Sequence, residues 1–302
     1  MLAIQFDRFG GPEVLSLVEL ASPQPGPGEV LITVEAVGVN FADTHQTDGS
    51  YLSADLLPYV PGSEVVGRTA NGRRVLARVS RGYAEQVVAK ESGLVDIPED
   101  LDAGCALALL TQGLTAWHLL RSAARLRPGE SVVVHAAAGG VGSLAVQLAK
   151  EFGAGRVLAH VSSAAKEKVA LGLGADGIAE YPLADRADVI LDAVGGDLFD
   201  QAVDSLASFG RIVSYGNASR TGFTPVDPAR LGRLNASVVG FWLRPTLAAP
   251  GAVSGPLTEL LDLVRRGRLK PVAETSHPLA DARRAHEDLL ARRTVGKVVL
   301  RP

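Results

Sequence analysis

The segment from Ser131 to Phe152 constrains the fold most, because an apolar run, Ser131–His135, enters the small-residue turn Ala136-Ala137-Ala138-Gly139-Gly140-Val141-Gly142 and continues into a long apolar stretch. The pattern predicts strand, turn and helix, the context in which glycines can hold a dinucleotide. Gly139 lets the backbone approach a pyrophosphate, and Gly142 lets helix and strand pack closely. The helix N-terminus offers unpaired N–H groups and the positive end of its dipole to the anion. Ala138, Gly140 and Val141 complete the turn, while Ala137 stands where the fingerprint's first glycine would be. The rival reading, glycines that merely end a buried strand and open a helix, is disfavoured by the strand and helix that flank them.

The rest of the chain supplies the setting. Up to Pro98 it reads as short β segments broken by Gly and Pro: Leu2–Phe6, Val14–Leu20, Glu29–Val39, Glu64–Thr69, Arg74–Val79 and Tyr83–Ala89. After Asp102 comes a helical stretch, Ala103–Arg125, and then strands alternate with helices. The strands fall at Ser131–His135, Arg156–Val161, Asp188–Asp192, Arg211–Tyr215 and Ala236–Phe241, and the helices at Val141–Phe152, Ala164–Leu171, Leu198–Ser208 and Gly255–Arg266. Such alternation implies an α/β, doubly wound parallel sheet. A helix near Asp281–Ala291 and a strand at Lys297–Leu300 follow, a strand that could return to the β-rich start, a return the sequence alone does not prove. The expected division is 1–105 with 268–302, and 106–267.

An NAD-selecting fold carries an acid at the end of its second strand, on the ribose 2′-hydroxyl. Here that strand ends His160-Val161-Ser162-Ser163, with Lys166 one turn later and Arg156 close in sequence. Hydroxyls and a cation suit a 2′-phosphate, so NADPH is the expected cofactor. The alternative is that Ser163 caps the next helix and Lys166 is solvated surface.

Composition excludes several classes. A net charge of -3 and a pI near 6.1 provide no basic stripe for nucleic acid. Cys105 is the only cysteine, which rules out an intrachain disulfide and a cysteine-built zinc site. Met1–Gly10 lacks the pattern of a signal peptide, and the apolar run Val132–Ala149 is interrupted by His135, Ser143, Gln147 and three glycines. No membrane partner and a cytoplasmic location are therefore expected. None of the five tyrosines has a lysine four positions later, which disfavours a short-chain dehydrogenase. The histidines show no metal spacing: His118 and His135 read as structural, His277 and His286 as surface.

The motifs HAAAGGVG at 135–142, LPYVPGSEVVG at 57–67, GYAEQVV at 82–88 and LTQGLTAW at 110–117, in that family's order, make the chain resemble the zinc-independent, zeta-crystallin-like quinone oxidoreductases of the medium-chain dehydrogenase/reductase superfamily. The resemblance covers nearly the whole chain. It implies a Rossmann domain inserted in a groES-like β-rich domain, a homodimer, and NADPH-dependent reduction of quinones or similar conjugated carbonyls. It also implies that Asn40, Asp43 and Thr115 lie near the nicotinamide and that Tyr51 lines the substrate cleft. Further cofactor contacts are implied at Gly216 and Asn217, at Phe241, Trp242, Leu243 and Arg244, at Arg292, and at Tyr181 beside the adenosine phosphate. His45 stands where many relatives carry a cofactor-contacting tyrosine.

Zinc-dependent relatives need Cys and His ligands on the cleft. This chain has Asn40 and Ser63 in those regions, so metal-free hydride transfer to a conjugated acceptor is expected, with the proton from solvent, Tyr51 or Asp43. An NADPH-dependent enoyl-thioester reductase and a non-catalytic NADPH-sensing or RNA-binding protein remain the alternatives.

Overall fold

The computed structural model describes residues 1–52 and 56–302. The chain divides into two compact units, Met1–Thr111 with Val272–Pro302, and Gln112–Pro271.

The second unit is built on six strands, all parallel, in the order Gly177–Ile178, Arg156–His160, Ser131–His135, Ala187–Asp192, Leu206–Ser214 and Ser237–Gly240. Their apolar runs, SVVVH and ADVILD at the centre, are almost continuous because helices cover both faces of a parallel sheet. By chain position the order is third, second, first, fourth, fifth, sixth. It reverses between Ser131–His135 and Ala187–Asp192, so the crevice of a doubly wound sheet opens above the carboxyl ends of these two strands, at His135 and Asp192.

In the first unit the eleven-residue strand Glu29–Val39 organises a seven-stranded sheet. Its first half pairs with Gln86–Lys90, its last residues pair antiparallel with Val298–Arg301, and Glu64–Thr69 runs along its other edge. The C-terminal strand thus returns to the N-terminal sheet, as the sequence suggested. The core beneath it joins Ile4, Phe6, Ile32, Val37, Tyr83 and Leu300.

Several local expectations need correction. The helix expected over Leu198–Ser208 spans Asp197–Asp204, and Leu206 already begins the next strand. The helix expected over Ala103–Arg125 ends at Ala123 and contains two π-helical turns, Leu109–Gly113 and Leu119–Ala123. By length and composition Ala103–Ala123 could cross a membrane, but 83% of its most apolar window is buried inside the fold. His286, expected at the surface, is fully buried. A helix over Phe41–Asp48 and the short strands Leu94–Asp96 and Thr275–Pro278 were not foreseen.

Candidate functional site

The helix Gly140–Glu151 starts directly after the first parallel strand, with Gly139 as its N-cap and no side chain capping it. Ser143 N–H reaches the Gly139 carbonyl, but the N–H groups of Gly140, Val141 and Gly142 find no acceptor among the described residues. Unpaired amides at a helix start form an anion site. The turn is tight: Gly139 N–H donates to the Ala136 carbonyl at 2.8 Å, and Ala136 itself takes the left-handed φ of 50°. A Cβ on Gly142 would overlap the Ala136 carbonyl, and one on Gly140 would overlap the Gln112 amide. Gly142 therefore packs helix against turn, while the space at Gly140 is filled by Gln112. Ala137 and Ala138 are fully buried beneath.

Other candidate cofactor residues collect along the same carboxyl edge. Ser162 and Ser163 follow the second strand, both exposed. Ser163 starts the helix Ala164–Gly172 without a side-chain cap bond, and Lys166, half-buried, lies in its first turn. Arg156 does not join them. It opens the strand that His160 ends, about 13 Å away at about 3.3 Å per residue, and pairs there with Asp185 at 2.9 Å. Gly216 and Asn217 follow the fifth strand, on a loop tied to the one after the fourth by Tyr215 N–H to Asp192 O and Ala218 N–H to Ala193 O. Phe241 extends the sixth strand through a bond to Ser214 O; Trp242 precedes the short helix Leu243–Thr246, where the Arg244 guanidinium lies 5.9 Å from the Trp242 ring centroid. Thr115 is buried in the helical segment Leu114–His118.

Beneath this edge lies a polar line that sequence reading missed. Asp192, fully buried, accepts from Val194 and Gly195 N–H and from His135 Nδ1 at 2.8 Å. His135 Nε2 then meets the Tyr181 hydroxyl at 2.7 Å. Since the carboxylate fixes the proton on Nδ1, Nε2 accepts and Tyr181 donates. The Tyr181 ring also packs on His160, whose centroid is 5.9 Å away. Burial holds the His160 imidazole down to about 4. The available signal was an acid closing the apolar run VILD just before two glycines.

The first unit holds a second buried network around the start of the helix Phe41–Asp48. Lys297 Nζ, fully buried, bonds Glu64 Oε1 and reaches Asn40 Oδ1 at 2.9 Å; Asn40 Nδ2 donates to the same Glu64 oxygen at 2.9 Å. Asp43 accepts from Asn40 N–H at 2.8 Å and from the Tyr83 hydroxyl at 2.9 Å, and Tyr83 in turn meets His286 Nε2 at 3.1 Å. Burial drives the Asp43 carboxyl up to about 6 and the His286 imidazole down to about 4. Asn40 and Asp43 thus have their side chains engaged within the protein. His45 Nδ1 contacts Ser50 Oγ at 2.6 Å, Tyr51 is half-buried with its N–H on His45 O, and Arg292 is exposed just past the helix Ala282–Leu290 with φ 56°. Among the described residues, no group of three or more His, Cys, Asp or Glu could hold a metal.

Comparison with known proteins agrees with this architecture. Residues 26–99 match the alcohol dehydrogenase GroES-like domain and residues 173–300 the zinc-binding dehydrogenase family. A quinone oxidoreductase of Pseudomonas aeruginosa is 37% identical over 99% of both chains, and quinone oxidoreductase 1 of Escherichia coli 33% identical over 99% of both. The structure of the Thermus thermophilus quinone oxidoreductase, described with its NADPH complex, superposes with a TM-score of 0.92 at 40% identity and full coverage of both chains. The Escherichia coli quinone oxidoreductase complexed with NADPH gives 0.92 at 31% identity, again over the full length of both.

Proposed function

We infer the reaction from the family: this chain belongs to the quinone oxidoreductases of the medium-chain dehydrogenase/reductase superfamily, with a GroES-like and a Rossmann domain. It is an NADPH:quinone oxidoreductase. The observation that carries the assignment is the carboxyl edge of the parallel sheet, where three unpaired amides start a helix and the second strand ends in serines and a lysine instead of an acid. That donor set suits a diphosphate and a 2′-phosphate.

We assign the diphosphate to Gly139, Gly140, Val141 and Gly142, with Ala138 beneath them, and the 2′-phosphate to Ser162, Ser163 and Lys166. Tyr181, Gly216, Asn217 and the stretch Phe241, Trp242, Leu243 and Arg244 line the remainder. Bound NADPH supplies a hydride at its nicotinamide C4. The chain's task is to orient a conjugated acceptor, exclude water and deliver a proton. We give Thr115 and Tyr51 the ligand contacts, with the Tyr51 hydroxyl or solvent as proton source. His45 and Arg292 are proposed as peripheral cofactor contacts. Asn40 and Asp43, engaged with Glu64, Lys297 and Tyr83, act by fixing the start of their helix.

We propose that no metal takes part. In support, the Asn40 amide is bonded at both ends, to the Glu64 carboxylate and to the Lys297 ammonium, so a cation already occupies this polar centre. Quinones tolerate this because conjugation spreads the arriving charge. A homodimer is proposed on the resemblance and on the edge strand Ser237–Gly240, which among the described residues pairs on one side only and leaves the backbone of its other edge open. The half-buried lone Cys105 suits the reducing cytoplasm.

The decisive assay follows NADPH oxidation by purified, chelator-treated protein with 9,10-phenanthrenequinone, enones and a crotonyl thioester. Fast quinone reduction, insensitive to chelation, is expected. Turnover of the thioester alone, or activity lost with the chelator, would overturn this reading.

A further inference from the structure

The line Asp192–His135–Tyr181 ties together three loops at the carboxyl edge. Asp192 gathers the turn after the fourth strand by accepting from Val194 and Gly195 N–H, the latter at 3.2 Å. Gly195 and Gly196 take φ of 75° and 61° there, a bend that side chains resist. The same carboxylate fixes His135, the last residue before the glycine turn, and His135 fixes the hydroxyl of Tyr181, which follows the third strand. Asp192 and His135 are fully buried and Tyr181 is half-buried, so the line runs from the core to the surface. At its outer end the Tyr181 ring stands edge-on to His135, with 5.6 Å between centroids, and packs on His160, two residues before Ser162.

We propose that His135 and Asp192 are positioning residues for the adenosine half of the dinucleotide: they set the Tyr181 ring as a fixed wall beside Ser162, Ser163 and Lys166. In this arrangement the tyrosine hydroxyl is spent on His135. Its contribution to binding is therefore the placement of the ring, and phosphate recognition falls to the serines and the lysine. The inference rests on the NADPH reading above. It adds that cofactor affinity depends on two side chains that do not touch the cofactor, because a wall held by one hydrogen bond is preorganised and binding need not order it.

The test uses calorimetric affinity for 2′,5′-ADP, which carries only the adenosine phosphates, in the full-length protein and in Tyr181→Phe and His135→Asn. Tyr181→Phe keeps the ring and removes only the bond, so it guards against a His135 variant that fails to fold. Loss of one such bond predicts affinity lower by about fivefold to tenfold in each variant. In steady-state assays the KM for NADPH should rise with kcat within about twofold, a split that simple loss of fold stability would not produce. Unchanged 2′,5′-ADP affinity in Tyr181→Phe, or a fall in kcat with no change in KM, would overturn the proposal. A parent protein that binds NADPH but not 2′,5′-ADP would also overturn it while leaving the cofactor reading intact; one that binds neither would overturn both.

Discussion

We propose Lys166 as the side chain on which cofactor preference turns. A charge-assisted bond to a 2′-phosphate contributes about 1.5 to 3 kcal/mol, or about 10- to 150-fold in affinity, reduced where solvent screens it. Because Lys166 is half-buried, the lower part of that range applies. Lys166→Ala should raise the KM for NADPH and leave that for NADH nearly unchanged; equal effects on both would refute the assignment. A second residue-scale expectation concerns Asp43 and His286, which face Tyr83 from two sides. His286, near 4 in the fold against 6.5 free, stays neutral when the unfolded chain binds a proton, so stability is lost as pH falls from 6.5 towards 4. Asp43, near 6 against 3.8, does the reverse: the folded state takes up a proton first, and stability is gained as pH falls from 6 towards 3.8. Each effect is about 3 kcal/mol, and they nearly cancel in the parent. Relative to it, Asp43→Asn should lose stability on acidification in urea melts and His286→Phe should gain it; slopes of the same sign in both would contradict the buried network. Neither partnership was legible in sequence, because hydrogen bonds between residues 40 and 203 positions apart leave no local pattern.

At the scale of elements, the strand–turn–helix at Ser131–Glu151 was legible because its apolar period and its glycines agree. Gly142→Ala tests it: the new methyl would meet the Ala136 carbonyl, a backbone atom that cannot swing aside. We expect a loss of about 1 to 3 kcal/mol in stability and at least about tenfold weaker NADPH binding, read by denaturant melts and fluorescence titration. Parental values for both would show that the turn is looser than described. Other elements were hidden for physical reasons. Phe41–Asp48, with sequence FADTHQTD, has no apolar stripe; its helix is held by the Asp43 carboxylate on Asn40 N–H and by burial of Asp43, Thr44 and Thr47. Near Ser205 an amphipathic pattern continued through a real break, because Leu206 exchanges helix for sheet pairing with Ala187. Arg156 was misplaced for a related reason: proximity along a strand puts a residue at the wrong end of it.

For the whole molecule, five of the six parallel strands were legible from alternation, the two-residue Gly177–Ile178 being too short to show a pattern, while the seven-stranded sheet was visible only as a series of short runs. Its pairing depends on a C-terminal strand more than two hundred residues distant in sequence, Val298 facing Val39. If the sheet edge at Ser237–Gly240 carries the subunit contact, light scattering should give twice the 31.5 kDa chain mass, and Val239→Lys should halve it. A monomeric parent would rule the dimer out. The claim on which all else depends is that the amides at the start of the helix after His135 hold the cofactor's diphosphate. Crystals of the protein soaked in NADPH measure this directly. Diphosphate density within hydrogen-bond reach of Gly140, Val141 and Gly142 N–H, with the 2′-phosphate at Ser162, Ser163 and Lys166, is the predicted result; NADPH bound with its diphosphate away from that turn would contradict it.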